Sequence, residues 1–183
     1  MQSKQSKQIR TMVLAGLFLA LGLLLPLLTG QIPQIGSKLL PMHIPVLLCG
    51  FVCGWPWGLL VGLVTPVFRS LIFGMPPMVP TAIAMSAELA AYGAATGLLY
   101  LFLPKRMPWY YVNLAIAMLV GRILWGVVSI PLYMASAKAF SWAIFWASGF
   151  VNAIPGIVLQ FVIIPPIVHA LQRAKVMSVS DPA

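Results

Sequence analysis

Three ionisable side chains stand inside long apolar runs: Arg69, Glu88 and Arg122. A charge at the centre of the hydrocarbon costs about 2.5–3.5 kcal/mol on insertion scales, so such a residue by default faces protein or water and marks a site. Two guanidinium groups against one carboxylate leave a positive charge over. An unpaired buried charge is expensive, and an arginine fork suits a carboxylate or phosphate. The chemistry on offer is therefore recognition of an acidic group. A structural ion pair between Glu88 and one arginine is the plainer alternative, and Arg69 is shallow enough to snorkel to the interface.

Other polar residues extend this pattern. Arg122, Trp125, Ser129 and Tyr133 recur at one-face helical spacing. Ser148, Asn152, Gly156 and Gln160 recur every fourth residue, and Glu88 and Tyr92 lie one turn apart. At a rise of ~1.5 Å per residue, Arg69 and Glu88 fall toward the outer ends of their helices and Arg122 near the midplane. The set predicts an outward-opening cavity with convergent polar groups, Gln160 lying deeper toward the cytoplasm. Interhelical hydrogen bonding is the other use of such residues. Catalytic parts are missing: no HExxH, no serine with a nearby His and Asp, and no phosphate-cradling loop. With one acid in the membrane segments, neither a metal site nor enzyme activity is expected. His43 and His169 are too far apart to share a metal and read as interfacial residues. Cys49 and Cys53, four apart in an apolar run, read as small buried hydrophobes.

The elements that must position these residues follow from composition. Of 183 residues, 61% are hydrophobic and only 7% charged. Soluble domains carry roughly 25% charged residues, so a soluble enzyme, a disordered chain and a secreted disulfide scaffold are excluded. The net charge of +9 sits at the edges of apolar runs, which is membrane topology rather than a nucleic-acid patch. The reading is an all-α integral membrane protein, one compact bundle of six transmembrane helices. Predicted helices cover 11–28, 41–54, 58–73, 81–103, 109–134 and 141–171, with 1–10 a basic cytoplasmic tail, 11–173 the membrane domain and 174–183 a second cytoplasmic tail. The second and third are short for two full crossings, so a tilted or partly re-entrant pair is the alternative there. The apolar run from Thr11 is longer than a signal-peptide core and is kept as the first helix. Lys4, Lys7, Arg10, Lys105, Arg106, Arg173 and Lys175 outnumber Lys38 and Lys138 across the bundle, which places both termini in the cytoplasm of a multi-pass cell-membrane protein.

Small residues are patterned as well. Gly16 and Ala20 make a small-x-x-x-small face on the first helix, and Gly50, Gly54, Gly58 and Gly62 recur every fourth residue. Such faces allow close helix approach, inside the bundle or against another membrane protein.

The run Pro41-Met42-His43-Ile44-Pro45-Val46-Leu47-Leu48, followed by Gly50 to Gly54 and Gly58-Leu59-Leu60-Val61-Gly62-Leu63-Val64-Thr65-Pro66, resembles the substrate-binding S components of energy-coupling factor (ECF) vitamin transporters. Gly74-Met75-Pro76-Pro77 and Ala87-Glu88-Leu89-Ala90-Ala91-Tyr92-Gly93 carry the same likeness, and the motif run is most similar to the branch with the pantothenate carriers. The resemblance implies a six-helix subunit, without cofactor or ATPase of its own, that takes a micronutrient from outside. It implies docking to a transmembrane T component through Gly16 and Ala20, with two partner ATPases consuming ATP. That likeness implies pantothenate, and the surplus arginine charge independently favours a small acid; Arg69, Glu88, Tyr92, Arg122, Trp125, Ser129 and Asn152 are the expected substrate-binding residues. Neutral vitamins such as pyridoxine or hydroxymethylpyrimidine, with the charges paired internally, are the alternative ligands. A stand-alone ion-coupled secondary carrier is the alternative mechanism, and it would need an internal repeat that is not apparent.

Overall fold

The computed structural model describes residues 4–29, 38–135, 146–147, 151–174 and 176–177. Their order is α1 (Lys4–Leu24), a 3-10 turn (Leu25–Thr29), α2 (His43–Cys53), α3 (Trp55–Phe73), a π turn (Met78–Ala82), α4 (Ile83–Phe102), α5 (Met107–Ala135) and α6 (Ile154–Arg173). No strand occurs among the described residues. Five apolar stretches, Gln5–Leu28, Trp55–Phe73, Met78–Phe102, Met107–Met134 and Ile154–Arg173, are long enough to cross a membrane. Against the expectation of six crossings, the described residues hold five such helices and a shorter apolar one, α2. At ~1.5 Å per residue the 11 residues of α2 span only about 16 Å of a hydrocarbon core about 30 Å thick.

Local chemistry explains most boundaries. α1 begins at Lys4, within the segment expected to be a tail, because no helix breaker separates its Lys, Gln and Ser residues from the apolar run. Pro26 ends it, the chain tightening into the 3-10 turn. Gly54, at φ 90°, divides α2 from α3, and Pro56 occupies the first turn of α3. Gly74 takes the left-handed cap of α3, its N–H donating to the Ser70 carbonyl at 3.0 Å. The Pro-rich segment that follows is non-helical at Val79, and the Met75-Pro76 and Val79-Pro80 peptides are cis. α6 starts at Ile154 rather than at Ser141, with Asn152 and Ala153 in a turn; residues 141–145 and 148–150 of the predicted sixth helix lie outside the described residues.

Backbone contact holds α2, α3 and α4 together. A methyl group added to Gly58 would overlap the Gly93 carbonyl, and one added to Gly93 would overlap Gly58. Gly62 faces the Leu89 carbonyl in the same way, Gly50 faces Thr96, and Gly97 faces the backbone of Trp55. The four-residue glycine spacing on α2 and α3 is thus used for internal packing. Close approach replaces the hydrophobic effect, which is weak between helices in lipid, by van der Waals contact. At the end of the bundle holding the α4–α5 turn, Phe51, Tyr100 and Tyr110 pack edge to face or tilted, with ring centroids 5.7–6.4 Å apart. Tyr110 donates to the Gln172 side chain, which ties α5 to α6 there.

Candidate functional site

At the other end of α2 the bundle encloses a polar cluster. Glu88, six residues into α4 counting from Ala82, is its hub. Its Oε1 lies 2.8 Å from Nη1 of Arg122 on α5 and accepts the Tyr92 hydroxyl at 2.9 Å. The same oxygen is 3.8 Å from Nε2 of His43, the first residue of α2. The His43 and Tyr92 rings are 5.5 Å apart at 59°. His43, Glu88, Tyr92 and Arg122 are 1%, 2%, 2% and 5% exposed, so three helices bury their ionisable groups at one point.

The sequence positions these groups locally. Glu88 and Tyr92 share a face of α4 because they are one turn apart. Gly121, beside Arg122, has no side chain, and a Cβ there would overlap the Tyr92 ring, so glycine is what lets α5 close on α4 at this level. Along α5, Arg122, Trp125 and Ser129 are buried, whereas Ile123, Leu124, Val127 and Ile130 are exposed. Asn113, lower on the inner face of α5, donates to the Thr96 carbonyl at 3.1 Å and fixes α5 against α4.

Several buried polar atoms lack a hydrogen-bond partner among the described residues: Nε and Nη2 of Arg122, both ring nitrogens of His43, Oγ of Ser129 and Nε2 of Gln160. Buried polar groups are bonded in the large majority of cases, so a concentration of orphans calls for a reason. Arginine nitrogens only donate. Nε and Nη2 form one edge of the guanidinium, a two-pronged donor that fits a carboxylate.

The cluster differs in membership from the expected set. Glu88, Tyr92 and Arg122 come together, and Trp125 and Ser129 continue the Arg122 face. Arg69 is not brought to Glu88. It is buried between α3 and α1, where Nη1 donates to the Leu23 carbonyl at 2.6 Å and the guanidinium lies 5.2 Å from the Phe73 ring centroid. In the 3-10 turn the natural donor to Leu23 is residue 26, and Pro26 has no N–H, so Arg69 caps the end of α1. Asn152 is exposed, while Gly156 and Gln160 of the same stripe are buried; Ser148 lies outside the described residues. His43, which reads as interfacial from the sequence, is instead buried against Glu88. Its one signal in the sequence was its place in the Pro41–Leu48 motif, since spacing along a chain does not reveal a partner 45 positions away. Gly16 and Ala20 are exposed on α1, and nothing lies within 4 Å of a Cβ built on Gly16, whereas Ala15 and Gly22 face the bundle.

Apolar helices long enough to span a bilayer, enclosing a compact charged cluster, define a multi-pass membrane protein built around an interior polar site. The family model for the substrate-specific component of ECF transporters matches residues 10–168, and the chain belongs to that family. No curated relative and no solved structure matches it. That family is one of transporter substrate-binding components rather than of enzymes, and it implies a small-molecule substrate with a T component and ATPases as partners.

Proposed function

We propose that this chain captures a small vitamin acid, pantothenate ahead of others, from outside the cell and delivers it inward through a T component driven by two ATPases. The observation that carries this reading is the free edge of Arg122. Nη1 is engaged by Glu88, and Nε and Nη2 have no partner among the described residues although Arg122 is 5% exposed. A ligand carboxylate on that edge forms two charge-assisted hydrogen bonds. In this reading Glu88 and Tyr92 orient the guanidinium, Trp125 and Ser129 on the same buried face of α5 contact the ligand, and the exposed Asn152 meets it on entry. Arg69 is left to brace α1. In this reading both termini are cytoplasmic, which the distribution of basic residues supports, and the start of α2 and the polar cluster then lie in the outer half of the membrane. The exposed Gly16 and Ala20 face supports docking of the T component on α1, away from the ligand.

The second reading is a neutral vitamin such as pyridoxine. It is favoured by the 2.8 Å Glu88–Arg122 pair, which neutralises the deeper arginine internally. The two separate on identification by mass spectrometry of small molecules retained by the purified protein, followed by titration of an Arg122→Lys variant. Lysine keeps a cation for Glu88 but lacks the planar edge. Loss of two charge-assisted bonds, each about 1.5 kcal/mol or more, weakens pantothenate binding at least about 100-fold. Retention of a neutral compound, with affinity indifferent to Arg122→Lys, rejects the acid. Uptake by cells that lack the ATPase partners rejects the importer.

A further inference from the structure

The charges of the polar cluster already cancel before any ligand arrives. Glu88 and Arg122 are in contact at 2.8 Å, and both are almost wholly buried. Arg69 does not alter this balance, because it is engaged at the Leu23 carbonyl, where the negative end of the α1 dipole faces it. An acidic ligand entering beside Arg122 therefore brings a net negative charge into a desolvated site. Uncompensated, that charge is strongly unfavourable. One group at the site is built to compensate for it. His43 is 1% exposed, its Nε2 is 3.8 Å from the Glu88 carboxylate, and neither of its ring nitrogens has a hydrogen-bond partner among the described residues. Imidazole is the side chain whose charge changes between about pH 5 and 8, and as imidazolium it donates from both nitrogens.

We infer that His43 is a substrate-site residue that takes up one proton when an acidic substrate binds. This rests on the acidic-ligand reading above. The proton comes from solvent and bonds to the free lone pair of the imidazole; no bond in the ligand changes. The imidazolium then faces Glu88 on one side and offers a second N–H on the other, so two cations balance two carboxylates. The groups facing His43 are Glu88 and Tyr92 from α4 and Arg122 from α5. Of the other elements packed on α2, α1 carries its basic residues at its opposite end, α3 carries Arg69 on Leu23, and His169 of α6 lies 15 residues beyond Ile154.

The linkage has a definite sign. Binding consumes a proton, so affinity for an acid weakens as pH rises, by up to about tenfold per pH unit when a full proton is taken up. The test is calorimetric titration of the purified full chain with pantothenate at about pH 7.5, in two buffers of different ionisation enthalpy. Uptake close to one proton is expected, and none for pantothenyl alcohol, which lacks the carboxylate. His43→Gln should lose both the proton uptake and the pH dependence. Should that variant fail to fold, the ring nitrogens of 15N-histidine-labelled wild type report the proton directly. The chain has two histidines, and His169→Gln assigns the signal. Pantothenate binding without proton uptake overturns the inference and leaves the acidic-ligand reading intact. Uptake that persists in His43→Gln, or a proton-free His43 signal in the complex, places the proton on another group and also overturns it. If pantothenate does not bind at all, the pantothenate reading fails and the inference, which rests on it, fails with it.

Discussion

Breaking the buried pair should cost far more than exchanging it. Glu88→Gln keeps an acceptor for the Tyr92 hydroxyl but removes the charge opposite Arg122. With the contacting atoms at 2.8 Å, the charge centres are about 4 Å apart, and at an effective dielectric of about 20 the lost attraction is roughly 4 kcal/mol. That agrees with the roughly 3–5 kcal/mol found when one partner of a buried pair is removed. Arg122→Gln should cost a similar amount by stranding Glu88. The double variant Glu88→Gln/Arg122→Gln leaves two neutral amides that can bond each other, so it should lose less than the sum, with a coupling of about 2–3 kcal/mol. Denaturant unfolding in detergent micelles, followed by tryptophan fluorescence, measures all three corners. Folded Glu88→Gln protein should also hold pantothenate at least as tightly as wild type, because Arg122 then has no internal competitor. Additive single effects, with coupling under about 0.5 kcal/mol, would show that water screens the pair and would refute a desolvated charge cluster.

Three further outcomes follow from particular contacts. Gly16→Leu and Ala20→Leu should leave ligand affinity unchanged and reduce co-purification with the T component, because α1 is open at Gly16; transport that survives both changes moves the docking face elsewhere. Gly93→Ala should lower the melting temperature sharply, since the added methyl meets the backbone of Gly58 rather than a movable side chain; a melt within a degree or so of wild type would mean the helices separate easily. Arg69→Gln should destabilise the fold by about 1–3 kcal/mol through the bare Leu23 carbonyl, while ligand affinity in calorimetric titration stays at the wild-type value. A large loss of affinity there would return Arg69 to the ligand site.

The helical class and the approximate places of the elements were legible because each crossing is an uninterrupted apolar run punctuated by Gly and Pro, and lipid forbids unpaired backbone. The α2–α3 boundary at Gly54 and the cap at Gly74 are local events that adjacent residues decide. The length of α1 was not legible, because the polar residues after Lys4 favour helix as readily as they favour solvent. The short α2 was visible in outline, since the run from Pro41 to Gly54 has too few residues for a straight crossing.

By itself the sequence determined that Arg69, Glu88 and Arg122 needed an explanation, since a charge in an apolar run has a fixed desolvation cost wherever its partner lies. It also determined that Glu88 and Tyr92 share a face, because the α-helical repeat is set by backbone geometry. Tertiary structure alone decided which arginine meets Glu88, sending Arg122 to the carboxylate and Arg69 to the end of α1. It alone placed His43 beside a residue 45 positions distant. The physical reason is that pairing across helices depends on their rotation and depth, which the glycine contacts at Gly58, Gly93 and Gly121 set only once the backbones touch.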